Sequence, residues 1–434
     1  MVCYNQRQLL SMHRFIMSFA SLGLTEQILT TVAELGFKEA TPIQKQAIPL
    51  VLQGHDVLAG AQTGTGKTAA FGLPLIQRLI ESPSERHEES KVVRSLILTP
   101  TRELAQQVFD SLVSYTQNTE LKVVVAYGGT SINVQKENLL GGADILIATP
   151  GRLLDHLHIK TITLNQAEYL VLDEADRMLD MGFIPDIKKI LRKMPDERQT
   201  LFFSATFSKK VREIAYYMLN KPKEVQVTPT NSTAETVEQM VYPVDKHRKS
   251  ELLAYLIGSR NWQQVLVFTK TKQGSDELVK ELKKDGIKAV SINGDKSQGA
   301  RLRALEEFKT GKVRALIATD VAARGLDIEQ LECVINYELP FKAEDYVHRI
   351  GRTGRAGHTG KAISLMSMDE EYLLKAIETL LDTRLPQEWL QGYEPDPNAP
   401  LREDRPRQSR GRSSDKRKMK AKLKIHANRG KNKR

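Results

Sequence analysis

Two neighbouring carboxylates and one glycine-rich loop are the residues of this chain whose types and spacing could do chemistry. Asp173 and Glu174 stand at the carboxyl end of a predicted strand over residues 168–173. Far upstream lies the run Ala61-Gln62-Thr63-Gly64-Thr65-Gly66-Lys67-Thr68. A glycine-rich loop with a lysine can hold phosphates, a carboxylate can hold the Mg²⁺ that bridges them, and a second carboxylate can orient water. Together these residues predict a site that cleaves a nucleoside triphosphate.

The loop has the sequence context that phosphate binding requires. It follows a predicted strand at residues 56–59 and opens a helix at Lys67, where backbone N–H groups and the helix dipole converge on phosphate oxygens. Gly64 and Gly66 would let the backbone approach closely. Lys67 would neutralise the β- and γ-phosphates, and Thr68 would ligate Mg²⁺. A turn before an ordinary helix is the alternative, and the order of strand, loop, Lys-Thr and helix argues against it.

The two carboxylates need separate roles. Asp173 would hold Mg²⁺ through water, and Glu174 would polarise the attacking water. The alternative is an acidic first turn of a helix, which the helix dipole favours. That alternative would be the better one for Asp173 and Glu174 alone, but Lys67 and Thr68 favour the catalytic interpretation.

Composition is that of a globular protein with two or three domains. The 434 residues are 40% hydrophobic and 27% charged, which are ordinary values. Cys3 and Cys333 are the only cysteines, so neither a disulfide framework nor a zinc cluster is possible, as expected in a reducing cytosol. The sequence lacks an apolar run of about 18 residues and a signal peptide, so we expect a cytoplasmic protein without a membrane span.

Charge is distributed unevenly along the chain. The formal net charge is +11, and the segment from Asp396 to Arg434 alone carries 15 Lys+Arg and 4 Asp+Glu. The preceding residues are therefore neutral overall. A basic tail of this kind attracts polyanions such as nucleic acid in a salt-dependent way. The alternative is a solubilising end without a ligand.

Short apolar segments alternate with helical ones and form two series. Predicted strands lie at residues 56–59, 95–99, 122–127, 144–149, 168–173 and 199–204, and again at 264–269, 288–292, 313–319, 333–337 and 361–365. Such alternation predicts two α/β domains, each a parallel sheet flanked by helices. We expect an extension, a first domain with the phosphate loop, a polar linker, a second domain and a disordered basic tail, at residues 1–17, 18–225, 226–238, 239–390 and 391–434.

The order of the remaining motifs resembles that of the DEAD-box RNA helicases of superfamily 2. Asp173-Glu174-Ala175-Asp176 spells the motif that names this family, and Gln44 with the upstream Phe19 resembles its Q motif. Further matches in family order are Pro100-Thr101-Arg102-Glu103-Leu104-Ala105, Gly128-Gly129, Thr149-Pro150-Gly151-Arg152, Ser204-Ala205-Thr206, Gln298 with Arg301, Thr319 to Asp327 and His348 to Arg355, while Val267 to Thr271 is a looser one. The resemblance covers about residues 18–370. The start and the basic tail look most like the bacterial RhlE-type branch.

The resemblance implies two tandem RecA-like domains and an ATP site that uses Mg²⁺. Gln44 would select adenine, because an amide both donates and accepts, and Phe37 would stack on the base unless it is a core residue. Arg352 and Arg355 would reach the γ-phosphate from the second domain as arginine fingers; a solvated basic face is their alternative. The implied catalytic residues are Lys67, Asp173, Glu174, His348, Arg352 and Arg355, with Thr68 and Asp173 as metal ligands. The implied nucleotide-binding residues are Phe19, Phe37, Gln44, Ala61, Gln62, Thr63, Gly64, Thr65, Gly66, Lys67, Thr68, Gly325 and Asp327. Ser204 and Thr206 would hydrogen-bond toward Asp176, and these three residues would couple domain closure to hydrolysis.

The implied RNA-binding residues are small, hydroxyl-bearing or cationic groups at predicted strand ends. Such groups suit phosphates and 2′-hydroxyls rather than base edges, so binding should not depend on sequence. For any single threonine or glycine among them, a structural turn is the alternative. The set is Pro100, Thr101, Arg102, Gly129, Thr149, Arg152, Gln298, Arg301, Thr319 and Arg324.

These implications together predict an ATP-dependent RNA helicase. ATP and RNA would bridge the two domains, and closure would bend one RNA strand so that its partner loses base pairs. An ATP-gated RNA clamp or assembly scaffold is one alternative, and a DNA helicase is another. We expect RNA as the partner, with ribosomal precursors or the RNA-decay machinery as further partners, and a monomeric protein away from membranes.

Overall fold

A computed structural model describes residues 19–61, 64–83, 91–227, 237–323, 326, 328, 331–353 and 360–396. The chain divides into two compact units, Met1–Glu394 and Pro395–Arg434. All the helices and strands below belong to the first unit. Within the described residues, no helix combines the length and the apolar character that a membrane crossing needs.

The amino-terminal half of the first unit is built on a parallel sheet. Its seven strands lie in the order β3-β4-β2-β5-β6-β1-β7. They are β1 (Val57–Gly60), β2 (Val93–Leu98), β3 (Val123–Ala126), β4 (Ala143–Ala148), β5 (Tyr169–Leu172), β6 (Gln199–Ser204) and β7 (Lys223–Gln226). Strands β1, β2, β4, β5 and β6 are buried along their whole length, because helices cover both faces of the sheet.

A second parallel sheet, of six strands, forms the rest of the unit, in the order β10-β11-β9-β12-β13-β8. Its strands are β8 (Val237–Pro243), β9 (Val265–Thr269), β10 (Ala289–Ile292), β11 (Ala315–Thr319), β12 (Cys333–Asn336) and β13 (Gly360–Met366). The predicted fold class, two parallel-sheet α/β domains, is confirmed.

Helices follow most strands and pack on the faces of both sheets. In the first domain they are α1 (Glu26–Glu34), α2 (Pro42–Leu52), α3 (Lys67–Glu81), α4 (Arg102–Tyr115), α5 (Ile132–Asn138), α6 (Pro150–His158), α7 (Ala175–Asp180), α8 (Ile184–Leu191) and α9 (Lys209–Met218). In the second they are α10 (Lys249–Ser259), α11 (Lys272–Lys284), α12 (Gln298–Lys309), α13 (Asp320–Ala323), α14 (Ala343–Ile350) and α15 (Glu371–Leu381), with 3₁₀ turns at Lys246–Arg248 and Met368–Glu370.

Two hydrophobic cores enclose the first sheet. Val57 and Ala59 of β1 lie in one core and Leu58 in the other, as the alternation of a strand requires. Helices α1 to α4 supply the first core and α6 to α9 the second. Because all the strands are parallel, their carboxyl ends share one edge, where ligand sites of α/β sheets lie.

The structure adds a strand at each end of the predicted linker. The sequence analysis missed β7 and β8, and Gln226 and Val237, which were predicted as linker, belong to them. In β7 only Val225 is buried, so this edge strand lacks the apolar alternation that marks a strand in a sequence. Residues 228–236 lie outside the described part of the chain.

Residues 391–394, which the prediction placed in the tail, contact the second domain. Arg248 Nη1 donates to Gly392 O at 2.7 Å, and its guanidinium lies 4.7 Å from the centre of the Tyr393 ring. The Tyr393 ring also contacts Tyr255, with centroids 5.6 Å apart. An aromatic anchor therefore extends the second domain beyond its predicted end. Residues 1–17 and the tail from residue 397 onward lie outside the described part.

Candidate active site

The phosphate loop has the backbone conformation that its glycines predict. Gly64 and Gly66 have φ angles of +79° and +88°, in the left-handed region that other residues rarely adopt. At Gly66 a Cβ atom would lie 2.4 Å from Gln44 Nε2 and 3.2 Å from Thr41 Oγ1. Helix α3 begins directly after Gly66, at Lys67, so its first unpaired N–H groups lie at the loop.

Lys67 and Asp173 meet beside this loop. Lys67 Nζ lies 3.7 Å from Asp173 Oδ1, and both side chains are almost completely buried. Among the described residues, Lys67 Nζ has no hydrogen-bond acceptor, which is costly for a buried cation. Burial raises the pKa of the Asp173 carboxyl, while the Lys67 charge acts to lower it. A buried ammonium group with unused donors beside a buried carboxylate fits a triphosphate and its cation.

Glu174 has a strained backbone at the turn from β5 into α7. Its φ and ψ angles are 52° and 50°, left-handed values that cost free energy in a residue with a side chain. Its N–H donates to Asp173 Oδ1 at 2.9 Å, and the residue is 6% exposed. Strain of this kind clusters at functional sites.

Gln44 links the start of α2 to the phosphate loop. Its Oε1 accepts from the Thr41 N–H at 2.8 Å, and its Nε2 donates to Gly66 O at 3.1 Å. An amide can make four hydrogen bonds, so donor and acceptor capacity remain beyond these two contacts. The structure thus gives Gln44 a role in shaping the loop that the sequence analysis missed, beside its predicted contact with adenine.

A cavity of about 860 Å³ opens above the loop. Phe37 lines it and also contacts the core residue Phe19 and the edge of Tyr115, with centroid distances of 6.4 and 6.0 Å. Phe37 therefore packs against the core, as its predicted alternative has it, and also lines the cavity, while its stacking on a base stays a prediction. The cavity is lined by Phe19, Gly36, Phe37, Lys38, Glu39, Thr41, Gln44, Gly64, Gly66, Lys67, Thr68, Ala69, Leu104, Gln107, Val108, Ser111, Tyr115, Asp173 and Glu174.

Three of the five α4 residues that line the cavity carry polar groups, and all five were missed from the sequence. Gln107, Ser111 and Tyr115 are four residues apart, so one face of the helix presents them all. Burial raises the pKa of the Tyr115 hydroxyl, while a hydrogen bond with Ser111 opposes this. The spacing was visible in the sequence, but only packing shows that this face borders the cavity.

Asp176 and Thr206 connect the motif at the end of β5 with the one at the end of β6. Thr206 Oγ1 donates to Asp176 Oδ2 at 3.1 Å, as predicted from the resemblance. Ser204 differs from the prediction, since its hydroxyl donates to Thr206 O at 2.7 Å and not to Asp176. Burial raises the pKa of the Asp176 carboxyl, which the Arg177 charge opposes. Ser204 therefore shapes the turn that presents Thr206.

The predicted RNA-binding residues of the first domain lie at the carboxyl edge of its sheet. Thr101 accepts from the Leu104 N–H at 3.3 Å and caps α4, Thr149 precedes α6, and Pro100 is buried at the end of β2. At Gly129 a Cβ would lie 2.0 Å from Arg102 Nη1. The φ angle of Gly129 is +86°, so the backbone favours glycine where the loop lies against the Arg102 guanidinium.

Arg152 is also held at this loop. Its guanidinium donates to Thr130 O at 3.2 Å and to Gln135 Oε1 at 3.0 Å. Two cationic side chains, Arg102 and Arg152, thus flank the Gly128–Gly129 loop. Such an arrangement suits a phosphate backbone.

Gln298 and Arg301 of the second domain contact the first domain. Gln298 Nε2 donates to Glu103 Oε1 at 3.3 Å, and Arg301 Nη2 lies 2.9 Å from the same oxygen. The prediction gave both residues to RNA, and this interdomain role was missed. Burial lowers the pKa of Arg301 despite the nearby Glu103 charge. Thr319, the last residue of β11, is 7% exposed.

A second interdomain contact joins α7 to α14. Arg177 Nη1 donates to Asp345 Oδ1 at 2.6 Å, and Lys342 Nζ donates to Asp180 Oδ1 at 2.7 Å. Helix α7 follows Asp173 and Glu174, whereas α14 contains His348 and leads into Arg352. The predicted motifs of the two domains therefore lie on helices that touch. Arg352 is buried and donates to Leu326 O at 3.1 Å.

Comparison with known proteins identifies the family. The family model described as DEAD/DEAH box helicase matches residues 41–214, and the helicase conserved C-terminal domain matches residues 248–357. The chain is 44% identical over 367 residues to the ATP-dependent RNA helicase CshA of Listeria monocytogenes, a match that covers 85% of this chain and 69% of the relative. The chain belongs to the DEAD-box ATP-dependent RNA helicases.

A second relative and a solved structure agree with this membership. The DEAD-box helicase RhpA of Helicobacter pylori is 42% identical over 368 residues, covering 85% of this chain and 73% of the relative. Dbp5 of S. cerevisiae bound to RNA and ADP BeF3 has a TM-score of 0.76 at 30% identity, covering 86% of this chain and 95% of Dbp5. The tandem RecA-like fold is therefore confirmed, and the RhlE-type branch stays a prediction.

One buried arginine of this DEAD-box helicase was missed within a motif that the sequence analysis quoted. Arg349 forms a bidentate ion pair with Asp320, at 2.6 and 2.8 Å, and donates to Asn336 Oδ1 at 3.0 Å. Its guanidinium also lies 4.9 Å from the centre of the Phe268 ring. Arg349 thereby fastens α14 to the ends of three strands. The sequence analysis gave Arg349 no role of its own, and the contacts show a structural one.

Six predicted site residues of the helicase lie outside the described residues. They are Gln62, Thr63, Arg324, Gly325, Asp327 and Arg355.

Proposed function

We propose that this DEAD-box helicase couples ATP hydrolysis to local separation of short RNA duplexes by closing its two domains on one RNA strand. The observation that carries the proposal is the pair of interdomain contacts. Glu103 with Gln298 and Arg301 joins the predicted RNA edges of both domains. Arg177 with Asp345 joins the helices beside the nucleotide motifs. ATP and RNA would thus favour the same closed arrangement, as linked ligands do.

The nucleotide would bind in the cavity above the phosphate loop. Lys67 Nζ, buried without a hydrogen-bond acceptor among the described residues, would bind the β- and γ-phosphates, and Gly64 and Gly66 would let the backbone approach them. Gln44 would recognise adenine with its remaining hydrogen-bond capacity, and Phe37 would stack on the base. Thr68 and Asp173 would hold Mg²⁺, which when bound neutralises phosphate charge that develops during hydrolysis.

Hydrolysis requires groups from both domains. Glu174 would orient the attacking water, and its strained backbone fixes the position of the carboxylate in advance. Arg352, with Arg355 and His348, would approach the γ-phosphate when α14 is docked on α7. Separation of the domains would withdraw these groups, so turnover would depend on RNA.

RNA would bind along the carboxyl edges of both sheets through its backbone. The first-domain groups are cationic or lie at the starts of α4 and α6, where helix N–H groups attract phosphate. Base-edge recognition is not needed for such contacts, so the helicase would act on many sequences. We further propose a cytoplasmic role in ribosome assembly or RNA decay, since such roles suit a protein that resembles the RhlE-type branch.

Glu174→Gln tests the proposal. The variant should still bind ATP and single-stranded RNA, because the amide keeps the shape, but ATPase turnover should fall by about 100-fold or more, because an amide is a poor base. Filter binding and steady-state ATPase assays with RNA and with DNA of the same sequence measure this. Glu168→Gln, at the other end of the same strand, is the matched control and should keep wild-type turnover.

Three results would count against the proposal. Retained ATPase activity in Glu174→Gln would remove this residue from catalysis. Complementation of function in cells by the same variant, without hydrolysis, would favour a clamp or scaffold. Equal stimulation of the wild-type ATPase by DNA would favour a DNA helicase.

A further inference from the structure

One buried amide makes hydrogen bonds to two of the three segments that carry the predicted RNA-binding residues of the first domain, the loop at residues 127–130 and α6. Gln135 of α5 is 6% exposed. Its Nε2 donates to Tyr127 O at 2.9 Å and to Thr130 Oγ1 at 2.6 Å. Its Oε1 accepts from Arg152 Nη1 at 3.0 Å and lies 3.0 Å from His156 Nε2. All four hydrogen-bonding positions of the amide are therefore used within the protein.

The partners fix both the amide and the imidazole. Tyr127 O only accepts and Arg152 only donates, so the oxygen and nitrogen of Gln135 cannot be exchanged. His156 must then donate through Nε2, and its buried Nδ1 has no hydrogen-bond partner among the described residues, which suits a neutral imidazole protonated on Nε2. Burial and the Arg152 charge lower the pKa of His156 to about 4, in agreement with this tautomer. The network therefore keeps one arrangement at neutral pH.

The bonds of Gln135 act on groups with a proposed role in RNA binding. Tyr127 and Thr130 flank the Gly128–Gly129 loop, whose Gly129 lies against Arg102. Arg152 reaches the loop as well, through Thr130 O. Without the amide, a long arginine side chain and a glycine loop would each have more conformations, and ordering them would cost free energy on RNA binding.

We propose that Gln135 is a positioning residue for RNA binding, which sets the shape of the Gly128–Gly129 loop and the direction of Arg152 before RNA arrives. The inference rests on the proposed function of this edge. It differs from that proposal in naming a residue that touches no RNA itself.

Gln135→Leu tests the inference through affinity for single-stranded RNA, measured by fluorescence anisotropy in the presence of ADP and beryllium fluoride. We expect RNA to bind about tenfold more weakly, while KM for ATP and kcat at saturating RNA stay within about twofold of wild type. A double-mutant cycle with Arg152→Ala separates positioning from general damage. Because Gln135 acts partly through Arg152, its loss should cost less affinity once Arg152 is absent.

Gln199→Leu is the matched control. Gln199 is also buried, and its Nε2 donates to Val51 O and His55 O at 2.9 and 2.7 Å, but at the opposite edge of the same sheet. This variant should lose thermal stability without losing RNA affinity. Thr130→Val, at an exposed position, removes one partner of Gln135 and should weaken RNA binding about threefold, even if Gln135→Leu fails to fold.

Two results would overturn the inference. One is wild-type RNA affinity in both Thr130→Val and a folded Gln135→Leu. The other is full additivity of the Gln135 and Arg152 effects, which would make Gln135 a stabilising residue only. A wild-type protein whose ATPase ignores RNA would instead contradict the proposed function, and the direct binding assay keeps the two failures apart.

Discussion

His156 is a buried residue that should make the stability of the fold depend on pH. Its pKa is lowered to about 4 by burial and by the Arg152 charge, below the usual value for an exposed histidine. Neutral His156 therefore contributes stability that is present above about pH 6.5 and lost as the pH falls toward 4. We expect His156→Gln to lose less of its free energy of unfolding than wild type between pH 7 and 4, with a difference of at most about 3 kcal/mol.

Urea unfolding at several pH values measures this difference. His158→Gln, at the exposed end of the same helix, controls for removing a histidine as such. Parallel curves of unfolding free energy against pH for wild type and His156→Gln would show that the pKa of His156 is the same in the folded and unfolded states.

At the residue scale, the sequence indicated which residues suit phosphate chemistry, but it did not indicate which side chains contact one another. Lys67, Asp173 and Gly66 could be found because their residue types and spacing follow directly from holding phosphates. Gln135 and Arg349 could not, because a glutamine on a short helix and an arginine in a motif carry no sign of their partners. Those partners are set by tertiary packing, which brings together segments distant in the chain.

Helix α4 of the first domain and α12 of the second meet at the carboxylate of Glu103. This contact joins the two domains. Glu103 is 7% exposed and receives both Arg301 and Gln298. Removing its charge leaves Arg301 partly buried without its ion partner, which costs about 2 kcal/mol or more. We expect Glu103→Gln to lower the RNA-stimulated kcat at least tenfold, with little change in the melting temperature of the protein.

Energy transfer between dyes on the two domains, recorded with RNA and an ATP analogue, reports closure directly. Asp110→Asn is the matched control. Asp110 is exposed on the same helix, and its carboxylate accepts from Gln106 Nε2 at 2.8 Å. Normal closure in Glu103→Gln would mean that this contact does not stabilise the closed arrangement.

At the element scale, the strands that the sequence predicted were those with runs of apolar residues. The central strands stand out because both faces are buried, whereas β7 presents Lys223, Glu224 and Gln226 to solvent around a single buried Val225. Strand β7 pairs in parallel with β1 because the fold places it beside β1. The sequence pattern of β7 does not indicate this pairing. An edge strand of this kind can be predicted only when the strand it pairs with is known.

At the scale of the whole molecule, the proposed function depends on two domains that each hold part of the proposed machinery. The phosphate loop and the two carboxylates lie in the first domain, and Arg352 and its neighbours lie in the second. The order of motifs along the chain was enough to predict this division. The specific contacts that join the halves, Arg177 with Asp345 and Glu103 with Arg301, depend on how the domains dock, which no local pattern encodes.

The basic tail supplies the excess charge of the molecule and should contribute to RNA affinity through that charge. Residues from Asp396 to Arg434 carry 15 Lys+Arg and 4 Asp+Glu, whereas the rest of the chain is neutral. Each backbone phosphate neutralised by the tail releases about 0.7 counterion from single-stranded RNA. Deleting the residues after Asp396 should therefore weaken RNA binding and make the plot of log affinity against log salt concentration shallower, while kcat at saturating RNA is unchanged. A tail of the same composition in scrambled order should restore the slope, because charge and not sequence is responsible. An unchanged slope after deletion would mean that the tail does not contact the RNA backbone, and a lower kcat would give it a part in closure instead.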